Sequence, residues 1–457
     1  MRDKKNTYET QEELMIYAKG LEGKTFGEID KTNRIVNEKA KGKLGQIIEE
    51  SYFGYEINSK PEADFKNLNI ELKVTPYKKN KNGSLSAKER LVLNIINYME
   101  EIHKDFYTSS FWMKNNKLLI VFYNYEKDKT VGQYEITNTI LYEIPEEDLP
   151  TVIQDWETII GKVRNGKAHE LSEGDTFYLG ACTKGKDSSS LRQQPFSDIS
   201  AMQRAYSFKQ SYMTHILRSN LNNEFSEKLI KDGNFSIRGY VEKLLKPFIN
   251  KSYEELCEVY GQASCAKNSV QLLISKIFNI KGTDLSKIQE FEKANLKLKT
   301  ITVDKNNKIK ESMSFPTFKF KEIIETSWEE SDLKRILGEQ KYLFIVFKEN
   351  KTSDLIFKGF RFWNIPYEDL NEVERVYRKT VEVIKAGVEI KEKLTKNGIR
   401  HNNNLPSKSE SYVCHVRPHG RDARDTYELP DGRRLTKQCF WLNNTYILEQ
   451  VKDLFYK

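Results

Sequence analysis

Cysteine is scarce. The five present (Cys182, Cys257, Cys265, Cys414 and Cys439) are odd in number, scattered and without CxxC spacing. They offer neither a disulfide framework nor a paired-cysteine zinc site, and they suit a reducing cytoplasm. Long apolar runs are also lacking. No stretch approaches the roughly 18 apolar residues that span a bilayer, and residues 1–13 are polar, without the apolar core of a signal peptide. A glycine-rich phosphate loop of Walker type is absent, which gives no support to ATP-driven cutting or translocation. Histidines are few. His103, His169 and His215 stand isolated, and His401-Asn402-Asn403-Asn404 lacks the second histidine that an HNH nuclease needs. Neither charge sign dominates: 74 Lys+Arg against 66 Asp+Glu gives +8, which permits a nucleic-acid partner without demanding one.

What the sequence does contain is a pair of copies. Lys24-Thr25-Phe26-Gly27-Glu28-Ile29 has a counterpart in Lys251-Ser252-Tyr253-Glu254-Glu255-Leu256, both with the Ser/Thr-x-x-Glu capping box that starts a helix. Gln46-Ile47-Ile48-Glu49 matches Gln271-Leu272-Leu273-Ile274, and the decapeptide from Asp64 to Lys73 matches that from Glu290 to Lys299. Leu118-Leu119-Ile120-Val121-Phe122 is set against Leu343-Phe344-Ile345-Val346-Phe347, and Tyr206-Ser207-Phe208 against Phe440-Trp441-Leu442. The five matches keep one order and a nearly constant offset close to half the chain. They imply one fold copied: a capped helix, a helix, a strand hairpin, a buried strand, a helix, a further strand and a last helix. That is an α/β fold with a mixed sheet flanked by helices. Residues 1–220 form the expected first domain, 221–235 a linker, and 236–457 the second domain. Residues 79–86 and 401–411 read as loops.

The copies differ in their acids. Between Asn67 and Val74 apolar and polar residues alternate, which sets Glu71 and Lys73 side by side on one face of a strand. If the chain folds back, Asp64 joins them and two hard oxygen ligands of the kind Mg²⁺ prefers are available. Lys73 is then placed to orient or deprotonate a water, or to neutralise charge on a phosphorane. Glu49 can enter from the helix as a third acid, as a metal ligand or a base, with Gln46 about one turn before it. The chemistry these groups suit is phosphodiester hydrolysis by in-line water attack. In the second copy Glu71 is replaced by Lys297 and Glu49 by Ile274, while the apolar frame is kept. A solvated strand face does not explain so selective a loss.

The segment Lys41-Gly42-Lys43-Leu44-Gly45-Gln46-Ile47-Ile48-Glu49, with Ser59-Lys60-Pro61-Glu62-Ala63-Asp64-Phe65 and Ile70-Glu71-Leu72-Lys73, resembles the active-site signature of the MutH-like GATC endonucleases. That family includes mismatch-repair nickases and Sau-type restriction enzymes, and the two-copy layout is similar to the latter. The resemblance implies two tandem PD-(D/E)xK nuclease-like domains, the second catalytically silent and binding DNA allosterically. It implies Mg²⁺-dependent cleavage of double-stranded DNA immediately before the G of 5'-GATC, with Glu49, Asp64, Glu71 and Lys73 catalytic. Lys184 and Tyr206 fall near positions that touch the target bases, and Arg204 and Lys209 lie beside them as further DNA contacts. In the second copy Arg417-Pro418-His419 opens an arginine-rich loop, 417–434, suited to gripping DNA. The expected protein is a cytoplasmic type II restriction endonuclease with no membrane association, monomeric in solution and dimerising on DNA, with a cognate DNA methyltransferase as partner. A strand-specific repair nickase and a non-cutting DNA-binding regulator are the alternatives.

Overall fold

The computed structural model describes residues 8–36, 42–57, 62–185, 189–221, 227–231, 233–261, 269–280, 288–395 and 398–456. Lys41 and residues 59–61 of the signature, Cys265 and part of the expected linker lie outside them. By internal contacts the chain divides into a first unit, residues 1–240 with 286–295, and a second unit, residues 241–285 with 296–457.

In the first unit α1 (Gln11–Lys19), α2 (Phe26–Ile29) and α3 (Lys43–Ile47) precede β1 (Glu71–Lys79), β2 (Leu85–Ala87) and β3 (Leu91–Ile95). Then come α4 (Tyr98–Glu101), α5 (Ser110–Asn115), β4 (Lys117–Asn124), β5 (Ile136–Glu143) and α6 (Leu149–Arg164). The series closes with β6 (Leu179–Thr183), the ribbon β7 (Leu191–Gln194) and β8 (Ser197–Met202), β9 (Arg204–Phe208) and α7 (Gln210–Leu221). The main sheet has the order β2-β1-β4-β5, with β1 parallel to β4 and β5 antiparallel to β4. Leu72, Leu119 and Val121 cover one face with Leu14, Phe26, Ile47 and Ile48 of the N-terminal helices. A second sheet, β3-β9-β6, is wholly antiparallel. Asp155 of α6 fixes the start of β6: its buried carboxylate accepts the backbone N–H groups of Phe177, Tyr178 and Leu179 at 2.7, 2.6 and 2.9 Å.

The rest of the chain repeats this plan. After α8 (Ile237–Leu245), α9 (Tyr253–Tyr260), α10 (Ser269–Ile277) and α11 (Gln289–Ala294) come β10 (Leu296–Val303), β11 (Met313–Phe318), α12 (Phe320–Ile323) and α13 (Asp332–Glu339). These lead to β12 (Lys341–Glu349), β13 (Leu355–Trp363) and α14 (Tyr367–Ala386). The ribbons β14 (Ile390–Thr395) with β15 (Gly398–Asn403), and β17 (Thr426–Glu428) with β18 (Arg434–Thr436), accompany β16 (Cys414–Pro418), β19 (Gln438–Leu442) and α15 (Asn444–Val451). One sheet runs β10-β12-β13, with β10 parallel to β12 and β13 antiparallel to it; the other runs β11-β19-β16, all antiparallel. The β1-β4-β5 and β3-β9-β6 arrangements recur with the same strand sense in β10-β12-β13 and β11-β19-β16, while β2 has no counterpart and β10 is an edge strand. Both predicted capping boxes are present, Thr25 with Glu28 and Ser252 with Glu255.

The register corrects one expectation. Glu71 pairs with Leu118 and Lys297 with Tyr342, so Tyr342, and not Leu343, stands where Leu118 does. β12 is buried on both faces from Lys341 to Phe347, and so uniform a run carries no periodicity that would set its register. The sequence reading also passed over β5, and part of 401–411 belongs to β15 and not to a loop.

Candidate active site

Asp64 reaches β1 through a short reversal. Phe65 and Ile70 exchange backbone hydrogen bonds of 2.9 and 3.3 Å across a 3-10 turn, Lys66–Leu68, which Asn69 closes in the left-handed region at φ 52°. Asparagine tolerates that conformation better than most residues. The reversal replaces the strand expected to begin at Asn67, and β1 starts at Glu71. One Asp64 oxygen accepts the Leu72 N–H at 2.9 Å, which pins the carboxylate beside β1. Burial, followed by repulsion from Glu71, raises the Asp64 carboxyl to about 7.

Glu71 is 4% exposed and stands among cations. Its Oε1 receives the Lys73 ammonium at 2.8 Å and lies 3.5 Å from that of Lys114, while its buried Oε2 has no hydrogen-bond partner. Lys114 comes from the last turn of α5, just before β4. No sequence pattern marks it, and chain folding alone brings it to the site. Glu49 arrives from a π-helical turn, Ile48–Tyr52, that continues α3; the Phe53 N–H bonds the Ile48 carbonyl at 3.0 Å. Such turns insert one residue and re-aim the side chains near it. Burial holds the Glu49 carboxyl above its ordinary value, with the Lys73 charge opposing and that of Glu71 adding. Gln46 does not join the acids, for its Oε1 accepts from Arg34 at 3.2 Å, and Arg34 also pairs with Glu50 at 2.6 Å.

Among the described residues no group of three or more His, Cys, Asp or Glu is gathered tightly enough to hold a metal ion by itself. The donor set nevertheless suits a hard divalent cation. The carboxylates of Asp64 and Glu71 repel one another, one buried Glu71 oxygen is unpartnered, and Mg²⁺ characteristically binds one or two carboxylates and keeps several waters.

The expected DNA contacts divide. Lys184 is exposed just beyond β6, and Arg417 and His419 are exposed at the end of β16. The Arg417 guanidinium lies 4.3 Å from the Trp441 ring centroid, with the His419 ring 5.0 Å from the same indole. Tyr206, Arg204 and Lys209 are instead buried. The Tyr206 hydroxyl donates to Glu101 at 3.1 Å, Arg204 to the Ala181 carbonyl at 2.6 Å, and Lys209 to the Thr176 carbonyl at 2.5 Å. Strand β9 is central in its sheet and covered on both faces, so in this conformation their polar ends are spent inside the protein.

A family model described as DNA mismatch repair enzyme MutH matches residues 53–155 and again 281–375, once in each half. The chain is 40% identical to the Type II restriction enzyme Sau3AI of Staphylococcus aureus, over 98% of its own length and 99% of that relative. It is 30% identical to the DNA mismatch repair protein MutH of Shewanella woodyi over 40% of this chain and 79% of the relative. The MutH of Actinobacillus pleuropneumoniae serotype 3 gives the same identity, over 40% and 80%.

Proposed function

We propose, for a chain that belongs to the MutH and Sau-type nuclease family, that it is a Mg²⁺-dependent type II restriction endonuclease cutting double-stranded DNA before the G of 5'-GATC. The observation that carries the reading is the Glu71 carboxylate, held between Lys73 and Lys114 with one buried oxygen open, beside Asp64. Asp64 and Glu71 are the residues that would hold Mg²⁺, with Glu49 at hand for a second ion or for water. Bound there, the ion supplies Lewis-acid polarisation of the scissile phosphate.

The chain's own groups account for the remaining steps. Lys73, as an ammonium, orients the attacking water and offsets charge on the phosphorane, and Glu49 as a carboxylate can take the water's proton. Lys114 adds positive charge where the pentavalent phosphorane gains negative charge. The reversal at Phe65–Ile70 fixes Asp64 before substrate arrives, so little rearrangement is needed at the moment of reaction.

In this reading residues 1–220 form the catalytic PD-(D/E)xK domain, 221–235 the linker, and 236–457 a silent copy that binds DNA allosterically through Arg417 and His419. Lys184 is the base-reading candidate in the first domain. GATC is palindromic and each chain has one catalytic centre, so two chains, monomeric alone, meet on the target about a two-fold axis. No helix among the described residues is long and apolar enough to cross a membrane. The enzyme is read as cytoplasmic, acting beside a cognate methyltransferase.

Digestion of a mapped plasmid with Mg²⁺, with the ends sequenced, tests the assignment. Linear products with breaks before each GATC are expected. Nicked circles alone would indicate a strand-specific nickase, and intact DNA a non-cutting regulator. Repeating the digest on methylated DNA shows which base modification protects the site.

A further inference from the structure

The second unit keeps the framework of the catalytic cleft while reversing its charge. Register places Lys297 and Lys299 where Glu71 and Lys73 stand, on the strand parallel to the buried one. Asn295 closes the preceding turn in the left-handed region at φ 48°, as Asn69 does at 52°. Ile274, buried, replaces Glu49. Glu290, the counterpart of Asp64, belongs to the first unit, where its carboxylate accepts the backbone N–H groups of Leu229 and Ile230 at 3.0 and 2.8 Å. Lys114 stands three residues before β4 begins; three residues before β12 stands Gly338, where an added Cβ would meet no atom within 4 Å. The catalytic cleft thus carries Glu49, Asp64 and Glu71 against Lys73 and Lys114, a formal charge of −1. The counterpart positions carry Lys297 and Lys299 against Glu290, a formal charge of +1, and the Glu290 carboxylate is taken up by two backbone N–H groups.

Both lysines are exposed, and neither side chain makes a hydrogen bond or ion pair among the described residues. Glu339, next to Gly338, is engaged in an interaction of its own. Alternate residues of a strand point the same way roughly 6.6 Å apart, so the two ammonium groups form a pair on one face. Strand β10 is also the edge of its sheet. A strand face whose counterpart carries the Glu71 carboxylate, with two unneutralised ammonium groups side by side and no side chain at the Lys114 position, has the chemistry of an anion site.

We infer that the Lys297–Lys299 face of β10 is a phosphate-binding site that holds a DNA backbone phosphodiester without cutting it. The inference rests on the DNA-binding reading of the second unit, and gives that reading a place. The competing explanation is that the lysines only keep an exposed strand edge from pairing with other strands.

Counterion release separates the two. Binding of the full chain to a GATC duplex is measured without Mg²⁺ across a salt series, for the wild type, Lys297→Gln/Lys299→Gln and Lys297→Arg/Lys299→Arg. Loss of the one phosphate held there is expected to make the slope of log K against log salt shallower by about 0.9 in the Gln variant, with the Arg variant unchanged. An unchanged slope in a folded Gln variant overturns the inference. Arg417→Gln in parallel tells the two readings apart. If it flattens the slope and the Gln pair does not, only this site fails; if neither does, the DNA-binding role of the second unit fails with it.

Discussion

Asp64 has to lose a proton before it can bind a cation, and burial together with Glu71 holds that proton until about pH 7. At limiting Mg²⁺, cleavage is therefore expected to fall roughly tenfold per unit as pH drops below that value, with the fall moving to lower pH as Mg²⁺ is raised. A pH–rate profile flat across this range at low Mg²⁺ would contradict the assignment. Stability has the opposite sign to that of a salt-bridged carboxylate. A folded pKa above the ordinary carboxyl value of about 3.8 penalises the ionised native state, so the metal-free protein should lose stability as pH rises from about 4 to about 7. Asp64→Asn should remove that slope from thermal melts. Lys114→Met should lower single-turnover cleavage about a hundredfold while DNA binding is retained. Glu49, Asp64, Glu71 and Lys73 were legible because spacing and strand alternation are local properties of sequence. Lys114 was not, being an isolated lysine that only the fold carries to Glu71. Tyr206, Arg204 and Lys209 are polar in sequence, and nothing local shows that β9 is covered on both sides.

Helix α11 shows how an element can change employment. Its sequence belongs to the second copy, yet its contacts lie in the first unit. There Lys293, 2% exposed, donates to both oxygens of buried Asp148 at 2.8 and 2.9 Å; Tyr212 donates to the same carboxylate, and Glu292 pairs with Arg218 at 2.6 Å. Removing one member strands a buried charge, which typically costs about 3–5 kcal/mol. Lys293→Met is expected to destabilise the first unit by that order in urea titrations, and Asp148→Asn with Lys293→Met to recover much of it. A double variant that loses as much as the two single variants summed would show that the pair is not coupled. The sequence announced two helix starts through the capping boxes at Thr25 and Ser252, and a helix after each buried strand, found as α6 and α14. It did not announce that Leu229 and Ile230, in a stretch read as a polar connector, are buried and held by Glu290. Long-range partners of this kind leave no periodic trace.

At the scale of the whole molecule, two units share one connectivity and differ in the charge of one cleft. The duplication was readable because apolar frames outlast the acids they carry, and the family model independently matches each half. The central claim is that a single cleft per chain cuts DNA. It is tested most directly by single-turnover cleavage of a supercoiled GATC plasmid by the Glu71→Ala variant, with Lys297 and Lys299 intact. Loss of the metal-holding carboxylate should slow the cutting of both strands about a thousandfold or more, with no nicked intermediate accumulating. Nicking or cutting that persists at near wild-type rate would place a second working centre in the chain and contradict the account.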